Sequence, residues 1–208
     1  MASLPIWIAP GEAADRVYDV RAEDASGLGF ALLRPRRSGH DNSVAQLAFA
    51  KLNPVEPDDT SPRTRCGWPT TARDHRLVLA PGVADPVSIE RLLGDYDAAT
   101  VEHQRLLAGV LTVPFDRDRP LHDQFDQLVA FAMVHVAMDR HLTSLAVCHA
   151  PGDQLADEAP HGHLLVLARS HRACGWGPLH PELSEGEHAA WADEWIKFGE
   201  GWRRLGSR

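Results

Sequence analysis

The chain has 208 residues, of which 44% are hydrophobic and 24% charged, and its formal net charge is −8 at pH 7. It is long enough for one well-buried core and too short to expect two large domains, and its balance is not that of a disordered or fibrous protein. The negative charge argues against broad nonspecific binding to nucleic acid, because phosphate contacts need clustered Lys and Arg.

The opening stretch "MASLPIWIAP" has no basic flank, and Pro5 breaks its short apolar run. It reads neither as a signal peptide nor as a membrane span, so no membrane insertion and a cytoplasmic location are the expectation. Cys66, Cys148 and Cys174 are odd in number and share no CxxC spacing, which points to reduced thiols. Residues 16–20, "RVYDV", and 28–33, "LGFALL", read as short strands, with Gly27, Gly29 and "RPRRSGHDN" as turn material. Arg34, Arg36 and Arg37 form one candidate basic strip for DNA, and Arg203, Arg204 and Arg208 another, beside the plainer reading of solvated turns and a frayed terminus. "SVAQLAFAKL", 43–52, has helical apolar spacing and stops before Pro54, after which a loop rich in Pro, Asp and Thr runs to about Arg73.

From Ser88 the pattern sharpens. Ile89, Leu92 and Leu93 follow a Ser cap at helical spacing, and "AATVEHQRLL" continues or restarts that helix. "AGVLTVPF" reads as a buried strand, and Pro120 opens a long helix with Leu121, Phe125, Leu128, Ala132 and Val136 on one face. "LTSLAVCHA" and "HGHLLVLAR" are two further strands joined by an acidic loop. Ser184 and Glu187 form a capping box for a last helix bearing Trp191 and Trp195. Residues 1–87 and 88–208 are read as two parts of one domain, the second holding the core of the site.

His161 and His163 are spaced i and i+2, so in a strand both imidazoles project from one face and can chelate one ion. If the two strands pair antiparallel, His149 at the end of the first lies beside the start of the second and adds a third nitrogen. Three neutral imidazoles can hold a divalent ion (Mn, Mg or Zn) with coordination positions left for substrate oxygens. The plainer alternative is a set of surface or hydrogen-bonded histidines. His135, His141, His171, His180 and His188 are assigned to that role, and Cys148, which alternates away from His149, to the core.

The run "PHGHLLVLARS", with His149 before it and "GWG" and a Trp-bearing helix after it, resembles the three-histidine motif of the MobA/MobL conjugative relaxases. These belong to the HUH-motif nucleases. The likeness extends upstream through "YDAATVEHQRLLAGVLTVPFDRDRPLHDQFDQLVAFA" and covers roughly residues 88–198. Gly162 is a departure from the wider group, which has a hydrophobic residue between the histidines, although this branch often has a small one. The resemblance implies an α+β (sheet-centred α/β) fold, with a central, mostly antiparallel sheet and flanking helices. It also implies metal-dependent nicking and strand transfer on single-stranded DNA in plasmid mobilisation, with other mobilisation proteins as partners. On it, His149, His161 and His163 are the metal ligands, and a tyrosine hydroxyl attacks the scissile phosphate.

The nucleophile departs from the family pattern. "NSVAQLAFAKL" matches the segment where the family carries its tyrosine, and Phe49 lies at or within one residue of that place. Tyr18 and Tyr96 are the two tyrosines of the chain. Tyr18 is the candidate for a displaced nucleophile, and Tyr96 reads as packing. Three readings stay open: an active enzyme using Tyr18 or a metal-activated water, a catalytically silent descendant that binds DNA or a partner around a scaffold metal, and a small-phosphoester hydrolase using a carboxylate of Asp153, Asp157 or Glu158.

Overall fold

Alternation of side chains across a strand sends successive residues to opposite faces, and nearly every position of the two best strands is buried, so both faces of the sheet must be covered. The computed structural model, which describes residues 4–21, 27–65 and 67–206, shows what covers them. In chain order its elements are α1 (Pro10–Asp15), β1 (Tyr18–Arg21), β2 (Gly29–Leu33), β3 (Arg36–Arg37), β4 (His40–Asp41), α2 (Val44–Leu52), β5 (Asp74–Val78), α3 (Ile89–Ala98), β6 (Ala108–Pro114), α4 (Leu121–Phe131), β7 (Ser144–His149), β8 (His161–Leu167), β9 (Arg169–Arg172), β10 (Gly175–Leu179) and α5 (His188–Gly206). A π-helical stretch, Ala132–Met138, extends α4. The expected α+β fold is present: six strands form an antiparallel sheet in the order β1-β2-β6-β8-β7-β5.

Each face of that sheet has its own core. On one, Phe30, Leu111, Val113, Ala146, Cys148, Leu164 and Val166 pack against Phe125, Leu128, Phe131 and Val136 of the α4 region and against Trp191 of α5. On the other, Val110, Leu145, Val147, Leu165 and Leu167 pack against Leu47, Ala48 and Phe49 of α2, Leu93 and Tyr96 of α3, and Trp68. Gly162 faces the first core: a Cβ there would lie 2.6 Å from Leu128 Cδ2 and 2.7 Å from Phe115 Cζ. Glycine between the two histidines is thus a packing requirement of the α4 side.

The Ser cap expected at Ser88 is present, and Ser43 caps α2 in the same way. Ser43 accepts from the Gln46 amide and Ser88 from the Arg91 amide, each at 3.1 Å. Helix α2 has a second anchor from far along the chain. The Asp97 carboxylate accepts the amides of Val44 at 2.8 Å and Ala45 at 2.9 Å, satisfying donors that a helix N-terminus leaves open.

Three expectations need correction. The helix over "AATVEHQRLL" ends at Ala98, because Leu107 is drawn into sheet pairing and its amide donates to the Leu33 carbonyl at 2.8 Å. The capping box at Ser184 does not form: Leu183 plugs the core at 3% exposure, and α5 starts at His188, with the Glu187 carbonyl accepting the Trp191 amide. The turn material at 34–42 contains the β3–β4 hairpin.

Candidate metal centre

Strand register brings the three histidines together. His149 pairs directly with His161, and Val147 with His163, so all three imidazoles project from the α2 face of the sheet. Ring centroids are 4.8 to 5.0 Å apart. One ligand nitrogen from each ring lies within 4.8 Å of the other two.

Neighbouring groups decide which nitrogen each ring offers. His149 Nε2 lies 2.7 Å from the Lys51 carbonyl, and a carbonyl only accepts, so Nε2 carries the hydrogen. Burial holds this ring neutral, with its pKa pushed down to about 3. Its lone pair is therefore on Nδ1, which lies 3.2 Å from His161 Nε2. His161 in turn directs Nδ1 at the Ala159 carbonyl, 3.0 Å away, which leaves Nε2 as its inward nitrogen. His163 is buried and held well below the ordinary histidine range by that burial, with Lys51 adding to the effect. Its Nδ1 lies 3.0 Å from Thr112 Oγ1, and its Nε2 lies 3.3 Å from Lys51 Nζ, a group that only donates.

Two imidazole lone pairs facing each other at 3.2 Å repel unless a cation satisfies both. Nitrogens bound side by side to one ion at about 2.0–2.1 Å lie roughly 3–3.4 Å from each other, so the observed spacing fits a shared metal. Ring hydrogens donated to carbonyls and a hydroxyl are the outer-shell pattern of metal-binding histidines. The cluster can hold a metal ion. An all-imidazole set suits Zn²⁺ and similar transition ions better than Mg²⁺, which takes oxygen ligands.

The triad forms part of the wall of a cavity of about 370 Å³, together with Ala50, Lys51, Val55, Arg73, Pro151 and Glu158. Apolar groups of α1 and the 54–55 turn complete much of the wall, and Lys51, Arg73 and Glu158 are its charged lining residues. Arg73 is paired with Asp153 at 3.1 Å. Lys51, Thr112 and Arg73 were not singled out in the sequence. The signal for Lys51 was present, since it is the single charged residue of α2.

The other candidates lie elsewhere. Tyr18 pairs with Leu32, which faces the α4 side, so it sits on the opposite face of the sheet from the histidines. Strands β2 and β6 separate β1 from β8, which places Tyr18 roughly 14 Å across the sheet at a strand spacing of about 4.8 Å. Its ring is covered by the guanidinium groups of Arg34 and Arg37, at 4.7 and 5.1 Å. Arg36 is paired with Asp41 at 2.6 Å, and Arg34 also bonds Glu185. The strip formed by these arginines lies beyond Leu33, which pairs with Ala108 at the end of β6 remote from Thr112 and Pro114. The structure therefore does not bring Tyr18, Arg34, Arg36 or Arg37 to the triad.

Phe49 is in the core, edge-on to Trp68 at 5.4 Å, and it is the next residue, Ala50, that lines the cavity. Tyr96 is fully buried and donates its hydroxyl to the Leu107 carbonyl at 2.8 Å, as packing. Of the acidic loop, Glu158 reaches the cavity wall. Cys148 is buried on the α4 side and Cys174 is exposed, while Cys66 and Arg208 lie outside the described residues. Among the described residues, no other histidine joins a metal-type cluster, and no helix is long and apolar enough to cross a membrane.

These features define an α+β protein with a three-histidine, metal-type site at one end of its central sheet. No family model matches the chain, and no curated protein matches it. It is similar in fold to a solved structure described as the molecular basis of vancomycin resistance transfer in Staphylococcus aureus. The TM-score is 0.53 at 14% identity, over 66% of this chain and 72% of that one.

Proposed function

We propose that this protein is a relaxase-like, single-stranded DNA-binding protein of plasmid mobilisation, in which His149, His161 and His163 would hold a divalent metal ion beside the site of a backbone phosphate. The observation that carries this reading is the facing pair His149 Nδ1 and His161 Nε2, each ring fixed by a carbonyl so that its free nitrogen points at a shared cation position. The likeness in fold to a structure concerned with resistance transfer supports it. A bound metal supplies Lewis-acid polarisation of a nonbridging phosphate oxygen. Lys51 on the cavity wall adds positive charge to attract the phosphodiester, and Arg73, which also lines the wall, would have to exchange its Asp153 partner for the phosphate. Other mobilisation proteins remain proposed partners on the family resemblance.

On this reading the protein is silent for tyrosine strand transfer. Attack needs the hydroxyl within reach of the bound phosphate, and Tyr18 projects from the wrong face while Ala50 occupies the cavity wall. One observation favours a second reading, nicking by water: Glu158 lines the same cavity, and its carboxylate has the chemistry to accept a proton from an attacking water.

Fluorescence anisotropy with a labelled single-stranded oligonucleotide, with Mn²⁺ or with chelator, tests the first reading. Binding should be metal-dependent and salt-sensitive, and it should be lost in His161→Ala/His163→Ala. Binding indifferent to metal and to both substitutions overturns it. On a denaturing gel the wild type should form no covalent adduct, and cleavage abolished by Glu158→Gln would establish the second reading.

A further inference from the structure

Lys51 touches the triad twice, by two different groups. Its backbone carbonyl accepts the His149 Nε2 hydrogen at 2.7 Å, and its ammonium lies 3.3 Å from His163 Nε2. The first contact leaves the His149 lone pair on the inward nitrogen. The second has the opposite effect on His163, because the nitrogen it occupies is the one His163 would give to a metal. A neutral imidazole has one such lone pair, and with Nε2 accepting from the ammonium the other nitrogen, Nδ1, carries the hydrogen, 3.0 Å from Thr112 Oγ1.

We infer that the Lys51 ammonium is an internal competitor for the metal site: it satisfies His163 in the metal-free protein and must leave Nε2 for a third ligand to become available. The inference rests on the metal reading above. A lone pair serves one acceptor bond, to an ammonium hydrogen or to a metal. Helix α2 is fixed at its start by Ser43 and Asp97, so the carbonyl stays where it is while the flexible four-carbon stem moves. Lys51 itself lines the 370 Å³ cavity, which gives the displaced ammonium space beside Arg73, where an anionic phosphodiester would meet it. Lys51 thus blocks the site while its ammonium engages His163, and the same ammonium would meet the substrate phosphodiester once it has moved into the cavity.

Lys51→Met separates the two contacts, since it removes the ammonium, keeps a stem of similar length and leaves the backbone carbonyl on His149. Co²⁺ titration followed by visible absorption, with Zn²⁺ competition, reads metal affinity without any activity. The expected result is affinity roughly tenfold tighter than wild type, the scale of one charge-assisted hydrogen bond removed from the competing state. Affinity equal to or weaker than wild type in a folded Lys51→Met, with Lys51→Ala agreeing, overturns the inference and leaves the metal site standing. If neither wild type nor Lys51→Met binds metal, the metal reading falls and this inference with it.

Discussion

Asp97 of α3 accepts two backbone amides of α2, from Val44 at 2.8 Å and Ala45 at 2.9 Å, and so ties the helix that orients His149 to a residue more than fifty positions away. The carboxylate is largely buried, and burial raises its pKa while the two amides and Ser43 pull it down. Removing it leaves buried donors without a partner. Asp97→Ala is expected to destabilise the protein by about 1–3 kcal/mol in chemical denaturation and to weaken metal binding through loss of the Lys51 carbonyl's placement. Unchanged stability would show that water replaces the carboxylate without cost.

Metal affinity should grade with distance from the ion. His161→Ala or His163→Ala is expected to lower Zn²⁺ affinity roughly a hundredfold or more, and Thr112→Val, which removes the hydroxyl on His163 Nδ1, about 10–100-fold. Isothermal titration calorimetry gives the order. A Thr112→Val effect as large as that of a ligand histidine would contradict the assignment of roles.

Acid should destabilise the metal-free fold through the buried histidines. His149 and His163 both have folded-state pKa values below that of an exposed histidine, His149 at about 3. Below pH about 6.5 the unfolded chain takes up protons that the folded one refuses. The contribution to stability is thus fully present above that pH and is lost as pH falls toward the folded values, with a slope approaching 1.4 kcal/mol per pH unit for each histidine. Urea midpoints measured between pH 7 and 4 should fall, and the fall should be shallower in His149→Gln. An equal slope in the variant would exclude His149 as a contributor.

Gly162 is the departure in the motif that the fold explains. A methyl group at this position collides with Leu128 and Phe115, so Gly162→Ala should cost about 1–3 kcal/mol of stability by overpacking. Leu128→Ala in the same chain should recover part of the loss. Additive destabilisation in the double variant would mean that Leu128 is not the obstacle.

A tyrosine at the cavity wall tests how nearly the site is complete. Ala50→Tyr places a hydroxyl where Phe49, turned into the core against Trp68, cannot. With metal and a labelled oligonucleotide, Ala50→Tyr should yield some covalent adduct on a denaturing gel, whereas Phe49→Tyr and wild type should yield none. An adduct from wild type that Tyr18→Phe abolishes would reverse the reading of Tyr18.

Local pattern carried much of the fold. The alternating and continuous apolar runs of β2, β6, β7 and β8 and the Ser88 cap stand where the sequence places them, because strand period and a hydroxyl cap act over a few residues. Strand β5 has the pattern "DHRLV", mostly polar, and escapes such a reading: it is an edge strand held by backbone bonds to β7. The same holds for β9 and β10, whose pairing depends on the turn between them.

The histidine triad was legible, since an i, i+2 pair and a third histidine at a facing strand end follow from the period of a strand and one assumed antiparallel pairing. Which face that pairing points to, and what else shares it, was not. Tyr18 and the histidines each lie on strands of the same sheet, and their separation comes from register and strand order, which depend on contacts between segments far apart in sequence. The same nonlocal packing sets Lys51 against two of the histidines and turns Phe49 away. Sequence alone marked which three histidines could come together; only the tertiary structure decided that they do and which groups surround them, because a side chain's neighbours across a sheet are fixed by the register of the whole sheet and by the helix laid over it.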